Sequence, residues 1–396
     1  MISVDEATAR IVAAFAPTAA ERIALRQGAG RVLAEDVRAR MNQPPDPVSS
    51  MDGYAVRAAD AAAPGAALRV VGAAPAGHPY GKMLNAGESV RIFTGGVVPQ
   101  GADSIVIQED AQRDGDTVSF TVAAIPHRHI RDAGLDFKQG DVLAAAGQRL
   151  TARDLALIAA GDNAQIAVRR RPKVAIAATG DELSPPASPR KPGGIVASSG
   201  FALCAMIEGW GGDPIDLGIL PDTTEAVASI ADKAAGADLI LTIGGASVGE
   251  HDLVQKALGP RGFELDFWKI AMRPGKPLIF GKLGATPLLG LPGNPVSTLV
   301  CAQLFLKPAL AAMLGTRDDT ALVRARTATP LKENDGRQDY IRAELSWRDG
   351  DRWAQAFGVQ DSSMMSVLAK ADALIVRAPR APAVAAGAAV SVLLLD

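Results

Sequence analysis

The spacing of hydrophobic positions changes along the chain, and each change predicts a different kind of structure. In residues 3–15, apolar side chains recur at helical spacing, behind a serine and a glutamate at capping-box spacing, Ser3 and Glu6. The proline-rich stretch MNQPPDPVSS cannot continue a helix, because each proline removes a backbone donor and restricts the residue before it. The pattern therefore predicts an N-terminal helical region that ends near residue 45.

Short strand-like runs follow from about residue 46 to residue 140. Examples are ALRVVG, SVRIFTGG and TVSFTV, which are separated by Gly, Pro and Asp, and this rhythm is typical of a mostly-β domain. Residues 141–170 return to a helical pattern in TARDLALIAAGD. Because the ends of an inserted segment often lie close together, we expect residues 1–45 and 141–170 to form one helical domain, with the mostly-β domain 46–140 inserted in it.

Residues 171–316 alternate near-continuous apolar runs, such as KVAIAAT and ADLILTI, with helical segments such as FALCAMIEGW. This alternation is the pattern of a doubly wound parallel sheet. Residues 317–396 return to strand-like pieces and predict a small C-terminal β domain. The predicted fold class is therefore α/β multidomain: a helical N-terminal domain, an inserted mostly-β domain, a doubly wound parallel-sheet domain and a C-terminal β domain.

Composition agrees with several soluble, folded domains. The chain has 396 residues, 48% hydrophobic and 21% charged, with a net charge of -2, so nothing electrostatic recruits nucleic acid or a membrane. The two cysteines, Cys204 and Cys301, lie in apolar helical stretches and are expected to be buried thiols in a reducing compartment. We find no run of the roughly 18 apolar residues that a membrane span requires, and expect a cytoplasmic protein.

Candidate chemistry falls just beyond the predicted parallel strands, in TGDEL (179–183), TIGGASVGEHD (242–252) and GLPGNPVS (290–297). Ligands of such sheets lie at the carboxyl ends of the strands, so these loops are expected to converge on one edge. Glycine-rich backbone and the start of the helix near Ser297 can bind a phosphate. The nearby acids, Asp181, Glu182, Glu250 and Asp252, are the kind of ligand that Mg²⁺ prefers. The alternative is that the glycines serve only turns and the acids are solvated.

Two further sets of residues are candidates. Lys269, Arg273 and Lys276 lie in FWKIAMRPGKP, where prolines prevent a helix, and together resemble a clamp for an oxyanion. Asp52 precedes Gly53 and Thr94 precedes a glycine pair, so each belongs either to a hairpin turn or to a site.

The motifs as a set resemble one family. SSMDGYAVR, RIFTGGVVPQGADSIVIQED, IRDAGLDFKQGD, RPKVAIAATGDEL, TIGGASVGEHD, RPGKPLIFG and GLPGNPVS occur in the order and approximate spacing of the molybdopterin molybdenumtransferases, the MoeA family that includes the gephyrin E domain. This resemblance implies an elongated homodimer of four-domain subunits, whose third domain binds molybdopterin and whose fourth is a small β barrel. The implied reaction inserts molybdate into adenylylated molybdopterin with Mg²⁺ and releases AMP. The resemblance also implies contact with molybdopterin adenylyltransferase and with cofactor-delivery proteins.

The resemblance assigns roles by motif. The implied catalytic residues are Asp52, Thr94, Asp136, Glu182, Asp222, Asp252 and Lys269. The implied substrate-binding residues are Thr179, Gly180, Gly244, Gly245, Ser247, Gly249, Pro292, Gly293 and Asn294. The implied molybdate-binding residues are Arg273, Lys276, Ser297, Arg342 and Ser362. The implied Mg²⁺ ligands are Glu182, Glu250, Asp252 and Asp52. In the implied dimer, Asp52 and Thr94 of one subunit face the third domain of the other.

The chain departs from the family pattern at three places. Arg273 stands where the family has Lys, Ile243 makes TIGG of the usual TSGG, and residues 197–199 read ASS instead of DSN. Two other functions remain alternatives: a scaffold or binding protein that uses the E-domain fold, and a molybdopterin adenylyltransferase, which shares the doubly wound domain. Acids and cations clustered at one sheet edge favour the molybdenumtransferase, since a scaffold does not need them.

Overall fold

The computed structural model describes residues 1–244, 251–317 and 321–395, without the side chains of residues 251 and 252. The chain divides into two compact units. The larger unit holds Met1–Glu21 and Arg169–Asp396, and the smaller unit holds Arg22–Val168.

The first element is helix α1 (Val4–Ala13), which begins where the sequence predicts it. The Ser3 side chain accepts a hydrogen bond from the Glu6 N–H at 3.1 Å, which satisfies one of the unpaired donors at the helix start. Its apolar face is buried in the core of the larger unit, where Ile11 is 1% exposed. Helix α1 therefore packs with the α/β region, whereas the sequence analysis grouped it with residues 141–170.

From residue 20 to residue 169 most of the regular elements are strands. The elements are β1 (Ala20–Ala24), β2 (Val37–Arg38), β3 (Val48–Ser49), β4 (Gly53–Val56), β5 (Ala67–Ala74), β6 (Glu88–Ile92), β7 (Ser104–Ile107), β8 (Ala111–Asp114), β9 (Thr117–Phe120), β10 (Ile130–Arg131), β11 (Val142–Ala144), α2 (Ala152–Ala160) and β12 (Gln165–Arg169). Six strands form one sheet in the order β7-β4-β6-β5-β9-β8. A separate small core joins Leu33 and Val37 to Ile158 and Val168, so residues 22–45 and 141–168 fold together.

The α/β region of the larger unit alternates strands with helices. Its elements are β13 (Lys173–Thr179), β14 (Leu183–Ser184), β15 (Ile195–Val196), α3 (Ser199–Gly209), β16 (Asp213–Leu220), α4 (Thr224–Ala228), α5 (Ile230–Lys233), β17 (Leu239–Ile243), α6 (His251–Leu258), β18 (Phe263–Lys269), β19 (Met272–Arg273), β20 (Pro277–Leu283), β21 (Thr286–Leu291), α7 (Pro295–Cys301) and α8 (Lys307–Leu314). The sheet order is β16-β13-β17-β21-β20-β18. The first four strands are parallel, β20 runs antiparallel to β21, and β18 runs antiparallel to β20.

This sheet is buried on both faces, which explains its near-continuous apolar strands. In β13, Val174 and Ile176 enter the core on one face, while Ala175 and Ala177 enter the core on the other. At the opposite edge from the loops, the Asp238 carboxylate accepts bonds from Arg170 Nη1 and Nη2 at 2.9 and 2.8 Å. It also accepts one from the Lys173 N–H at 2.7 Å, and so ties the starts of β13 and β17 together.

The C-terminal elements are β22 (Leu322–Thr327), β23 (Gln338–Arg348), β24 (Asp351–Ala356), α9 (Met365–Leu368), β25 (Ala373–Arg377) and β26 (Ala389–Leu394). The strand order β23-β24-β22-β26-β25 closes through a further pairing of β25 with β23, which makes a five-stranded barrel. Strand β19 of the α/β region pairs in parallel with β23, Met272 opposite Gln338 and Arg273 opposite Asp339. The multidomain α/β fold with a C-terminal barrel is thus confirmed.

One helical run among the described residues, Pro295–Leu314, is long and apolar enough to cross a membrane by length and composition alone. It comprises α7, a π-helical segment (Ala302–Leu306) and α8. The sequence expectation of no continuous apolar run of this length is unaffected, because Gln303 and Lys307 interrupt the apolar sequence. Since 78% of its apolar window is buried inside the protein, it serves as a core helix here.

Candidate functional site

A cavity of about 600 Å³ opens at the carboxyl ends of strands β13, β17 and β21. Seven of the candidate residues line it: Thr179, Glu182, Gly244, Pro292, Gly293, Asn294 and Ser297. Thr179 ends β13, Gly244 follows β17 and Pro292 follows β21, so the three loops converge as the sheet pattern predicts. Gly245, Ser247, Gly249 and Glu250 lie outside the described residues, as does the side chain of Asp252.

Glycine is required where these loops approach each other. Gly244 has φ of 86°, and a Cβ on it would stand 2.7 Å from the Thr179 carbonyl oxygen. Gly180 has φ of 154°, and a Cβ there would meet Glu182 Oε2 at 2.7 Å. Gly244 therefore lets its loop pack against the backbone of Thr179 at the cavity edge, whereas the atoms nearest to Gly180 belong to the Glu182 side chain.

The start of helix α7 forms another wall of the cavity. Asn294 is the N-cap residue and Pro295 the first helical residue, which suits proline because that position needs no N–H partner within the helix. The Asn294 side chain donates to Ser362 Oγ at 3.0 Å, and the Val296 N–H donates to the Ser362 carbonyl at 3.2 Å. Ser362 is therefore held at the helix start, and Ser297, 5% exposed, lines the cavity one turn in.

The acids near this edge form a connected group. The Asp181 N–H donates to the Asp222 carboxylate and the Asp222 N–H donates to the Asp181 carboxylate, each at 3.3 Å. Desolvation raises the pKa of Asp222, and the carboxylates of Asp181 and Glu182 raise it further. No three potential metal ligands cluster within the described ranges 1–244, 251–317 and 321–395.

The three cations of the loop after β18 have different surroundings. Arg273 Nε donates to Asp339 Oδ1 at 3.1 Å, its Nη2 is bonded to the same carboxylate, and its Nη1 lies 3.5 Å from Asp335. Lys269 ends strand β18, with its ammonium 3.5 Å from the centre of the Trp268 ring. Lys276 is exposed and precedes Pro277, which lines the cavity. Among the described residues of this loop, Pro277 lines the cavity and the three cations do not, and Asp339 and Asp335 of the C-terminal region neutralise Arg273.

Arg342 is buried and hydrogen-bonded within the C-terminal region. It is 2% exposed, and its guanidinium donates to Gln360 Oε1 at 3.1 Å and to the Asp361 carbonyl at 2.9 Å. Its side chain is therefore committed to holding the loop before Ser362, and burial lowers its pKa.

In the smaller unit, Asp52 and Thr94 are in direct contact. Asp52 Oδ1 accepts from the Thr94 N–H at 2.7 Å and from Thr94 Oγ1 at 2.9 Å. These two bonds lower the pKa of Asp52 and keep its exposed carboxylate ionised. Asp136 is exposed on a separate loop, where its N–H donates to the Gln43 carbonyl at 2.9 Å.

The sequence analysis missed one wall of the cavity. It is formed by β14, β15, the start of α3 and the segment after Ser362, through Leu183, Ile195, Val196, Ala197, Ser198, Ser199, Gly200, Ser363 and Met365. The departure from DSN at residues 197–199 was the available signal, since that segment proves to line the cavity. The same is true of Ile243, whose side chain replaces a hydroxyl at the cavity wall.

The fold and the cavity define the class: a multidomain protein whose α/β region presents a ligand site at the carboxyl ends of its parallel strands. Three family models match the chain in order. They are the MoeA N-terminal region (domain I and II) over residues 2–161, the probable molybdopterin binding domain over residues 175–312, and the MoeA C-terminal region (domain IV) over residues 324–395.

Relatives named molybdopterin molybdenumtransferase align over most of the chain. The protein from Haemophilus influenzae is 35% identical over 398 residues, covering 99% of this chain and 98% of its own. The protein from Nostoc sp. is 36% identical, covering 88% and 82%, and that from Bacillus subtilis is 31% identical, covering 100% and 94%. A crystal structure of the molybdopterin biosynthesis MoeA protein from Pyrococcus horikoshii superposes with a TM-score of 0.88 at 30% identity, covering 100% of this chain and 99% of that one.

The chain belongs to the molybdopterin molybdenumtransferase (MoeA) family, whose members are enzymes of molybdenum cofactor biosynthesis. The resemblance inferred from the motifs is confirmed. The cavity lies in the segment that matches the probable molybdopterin binding domain, apart from Ser363 and Met365.

Proposed function

We propose that this protein inserts molybdate into adenylylated molybdopterin, with Mg²⁺ as cofactor, and releases AMP. The observation that carries the proposal is the cavity of about 600 Å³ at the strand ends of the molybdopterin-binding segment. The proposal includes a cytoplasmic homodimer that contacts molybdopterin adenylyltransferase and cofactor-delivery proteins, with no nucleic-acid or membrane partner.

The cavity wall suits a phosphorylated pterin. At the start of the helical run Pro295–Leu314, Pro295 has no N–H, and the Val296 and Thr298 N–H groups donate to the Ser362 and Asn294 carbonyls. The Ser297 N–H is therefore the first-turn group that we assign to an anion. Gly244 and Gly293 carry no side chains, so a ligand can approach the backbone there, and a Cβ built on Gly293 would be in ordinary contact with Gly244 Cα at 3.6 Å. Apolar side chains of Leu183 and Met365 offer surface for a ring.

The acids present fit a Mg²⁺ site completed by the substrate. Mg²⁺ typically takes one or two carboxylates, with phosphate oxygens and waters in its other positions. Glu182 lines the cavity and is the described residue we assign to the ion, with Asp52, Glu250 and Asp252 as further proposed ligands. When bound, Mg²⁺ supplies neutralisation of the negative charge on the phosphoanhydride. Glu182 would hold the ion at the cavity edge, and no side-chain nucleophile is required.

Ser297, Lys276 and Arg273 are the residues we assign to molybdate. The Ser297 hydroxyl can donate to an oxo group from the cavity wall, and the Lys276 ammonium is a point charge on the adjoining exposed loop. Arg273 is bonded to Asp339, so its guanidinium must exchange that carboxylate for the anion. The C-terminal barrel therefore competes with molybdate for Arg273.

The direct test is AMP release from adenylylated molybdopterin, measured by chromatography with purified protein, molybdate and Mg²⁺. We expect turnover by the wild type, a loss of about 100-fold in Glu182→Gln, and little change in Glu225→Gln, an exposed acid in the first turn of α4. Substrate binding without AMP release by the wild type would refute the proposed activity and favour a binding protein. Formation of adenylylated molybdopterin from molybdopterin and ATP would instead indicate an adenylyltransferase.

The role of Arg273 has a separate test. Asp339→Asn should lower the molybdate concentration for half-maximal turnover, because it removes the competing charge, whereas Arg273→Ala should raise that concentration by about tenfold. If Arg273→Ala weakens pterin binding as much as it weakens molybdate binding, Arg273 binds phosphate instead.

A further inference from the structure

The smaller unit contains a guanidinium, that of Arg91, which holds the two loops carrying Asp52 and Thr94. Arg91 lies in strand β6 opposite Tyr54 of β4, and Thr94 follows the end of β6 by two residues. Its Nη1 donates at 2.9 Å to the carbonyl of Gly53, the residue that follows Asp52. Its guanidinium carbon lies 4.7 Å from the centre of the Phe93 ring, next to Thr94.

Three more contacts complete the arrangement. Arg91 Nη2 donates to Gln108 Oε1 at 2.6 Å, and the Gln108 N–H donates to the Asp52 carbonyl at 3.0 Å. The guanidinium also lies 5.2 Å from the centre of the Tyr54 ring. The loop before β4, the loop after β6 and the segment after β7 are therefore held by the same planar group.

This combination depends on the shape of arginine. A guanidinium can donate from two nitrogens in its plane while its faces contact aromatic rings, whereas the ammonium of lysine is a point charge. The contacts of Arg91 fix the residues on either side of the pair in which Asp52 Oδ1 accepts from the Thr94 N–H and from Thr94 Oγ1.

We propose that Arg91 is a positioning residue for Asp52 and Thr94, which it fixes relative to each other through Gly53, Gln108 and Phe93. The inference rests on the proposed function, which places Asp52 and Thr94 in the reaction. A displacement of about 1 Å in groups that contact a reacting substrate is enough to lower a rate by about 100-fold.

The first test does not depend on turnover. Amide hydrogen exchange of the Thr94 N–H, which bonds to Asp52, should become at least about tenfold faster in Arg91→Gln, because the acceptor is no longer fixed. Arg69→Gln is the matched control, since Arg69 is a largely exposed arginine of the same sheet whose partner is Glu88 at 2.8 Å. Unchanged exchange of Thr94 in Arg91→Gln would overturn the proposal. A parallel urea unfolding curve shows whether the variant is folded.

The second test uses AMP release in a double-mutant cycle. Arg91→Gln should lower kcat by about 10- to 100-fold. Arg91→Lys should recover less than half of the kcat that Arg91→Gln loses. In an Asp52→Asn background, Arg91→Gln should change kcat by less than about twofold, because both changes disable the same unit. Additive losses, or full rescue by lysine, would contradict positioning by Arg91. Absence of turnover in the wild type refutes the proposed function alone, since the exchange test still decides the role of Arg91.

Discussion

Gly244→Ala is the substitution for which the structure gives the clearest magnitude. At φ of 86° an L-residue costs about 1–2 kcal/mol relative to glycine. The new Cβ would also stand 2.7 Å from the Thr179 carbonyl oxygen and 3.1 Å from Thr179 Oγ1, and relieving such overpacking typically costs about 1–3 kcal/mol. We expect Gly244→Ala to lower the free energy of unfolding of the larger unit by about 2–5 kcal/mol.

A matched glycine separates the two contributions. Gly236 has φ of 80°, but a Cβ built on it has no heavy atom within 4 Å. Gly236→Ala should therefore lose only the conformational part, about 1–2 kcal/mol, and the difference between the variants measures the crowding against Thr179.

Urea unfolding followed by tryptophan fluorescence suits this comparison. All four tryptophans, Trp210, Trp268, Trp347 and Trp353, belong to the larger unit, so the signal does not report on the smaller one. The slope of unfolding free energy with urea should stay constant while the midpoint shifts. Equal midpoints for Gly244→Ala and Gly236→Ala would refute the claim that the close approach of the loops, rather than φ alone, requires glycine at residue 244.

Three further outcomes follow from contacts described above. Asp238→Asn should lower the free energy of unfolding by about 1–3 kcal/mol at pH 7. Burial raises the pKa of Asp238, but the bonds from Arg170 and the backbone lower it further, so the stabilisation exists above the unfolded-state pKa of about 3.9. The difference between wild type and variant should therefore shrink as pH falls below about 4, as measured by urea unfolding across pH. Burial raises the pKa of both thiols, and Cys301 is fully buried, so iodoacetamide should modify Cys204 first and Cys301 only in urea, as judged by mass spectrometry. Asn294→Ala should weaken substrate binding by about 3- to 10-fold in a titration, because its amide holds Ser362 beside the cavity, and should lower the free energy of unfolding in urea by only about 1 kcal/mol.

The sequence predicts those parts of the site that follow from local pattern. Thr179, Gly244 and Pro292 each stand at the end of an apolar strand, and parallel strands bring such ends together at one edge. Glycine at or next to these strand ends, as at Gly180, Gly244 and Gly293, predicts a close approach of the backbone, and the structure shows one at Gly244. These inferences need only periodicity and the general geometry of doubly wound sheets.

The parts that the sequence does not predict depend on contacts between distant segments. Arg273 and Asp339 are 66 positions apart, and nothing near either residue indicates that they pair. Asp52 and Thr94 are 42 positions apart, and from sequence each can belong to a separate turn. The antiparallel pairing of β4 with β6 brings the two residues together. Arg342 resembles a surface arginine in a strand, but the turn formed by Gln360 and Asp361 encloses it.

The pairing of β19 with β23 limits how the chain can be recombined. Residues 272–273 lie between two strands of the α/β sheet, yet they hydrogen-bond along the edge of the C-terminal barrel, opposite residues 338–339. In a chimera that takes its barrel from a relative, residues 272–273 of this chain would have to pair with the β23 strand of the relative. To stay functional, such an exchange must transfer the segment 270–276 together with the barrel, although the two are separated by more than 40 residues of sequence. The segment that carries Arg273 and Lys276 and the C-terminal barrel must therefore be exchanged together, although they are not continuous in sequence.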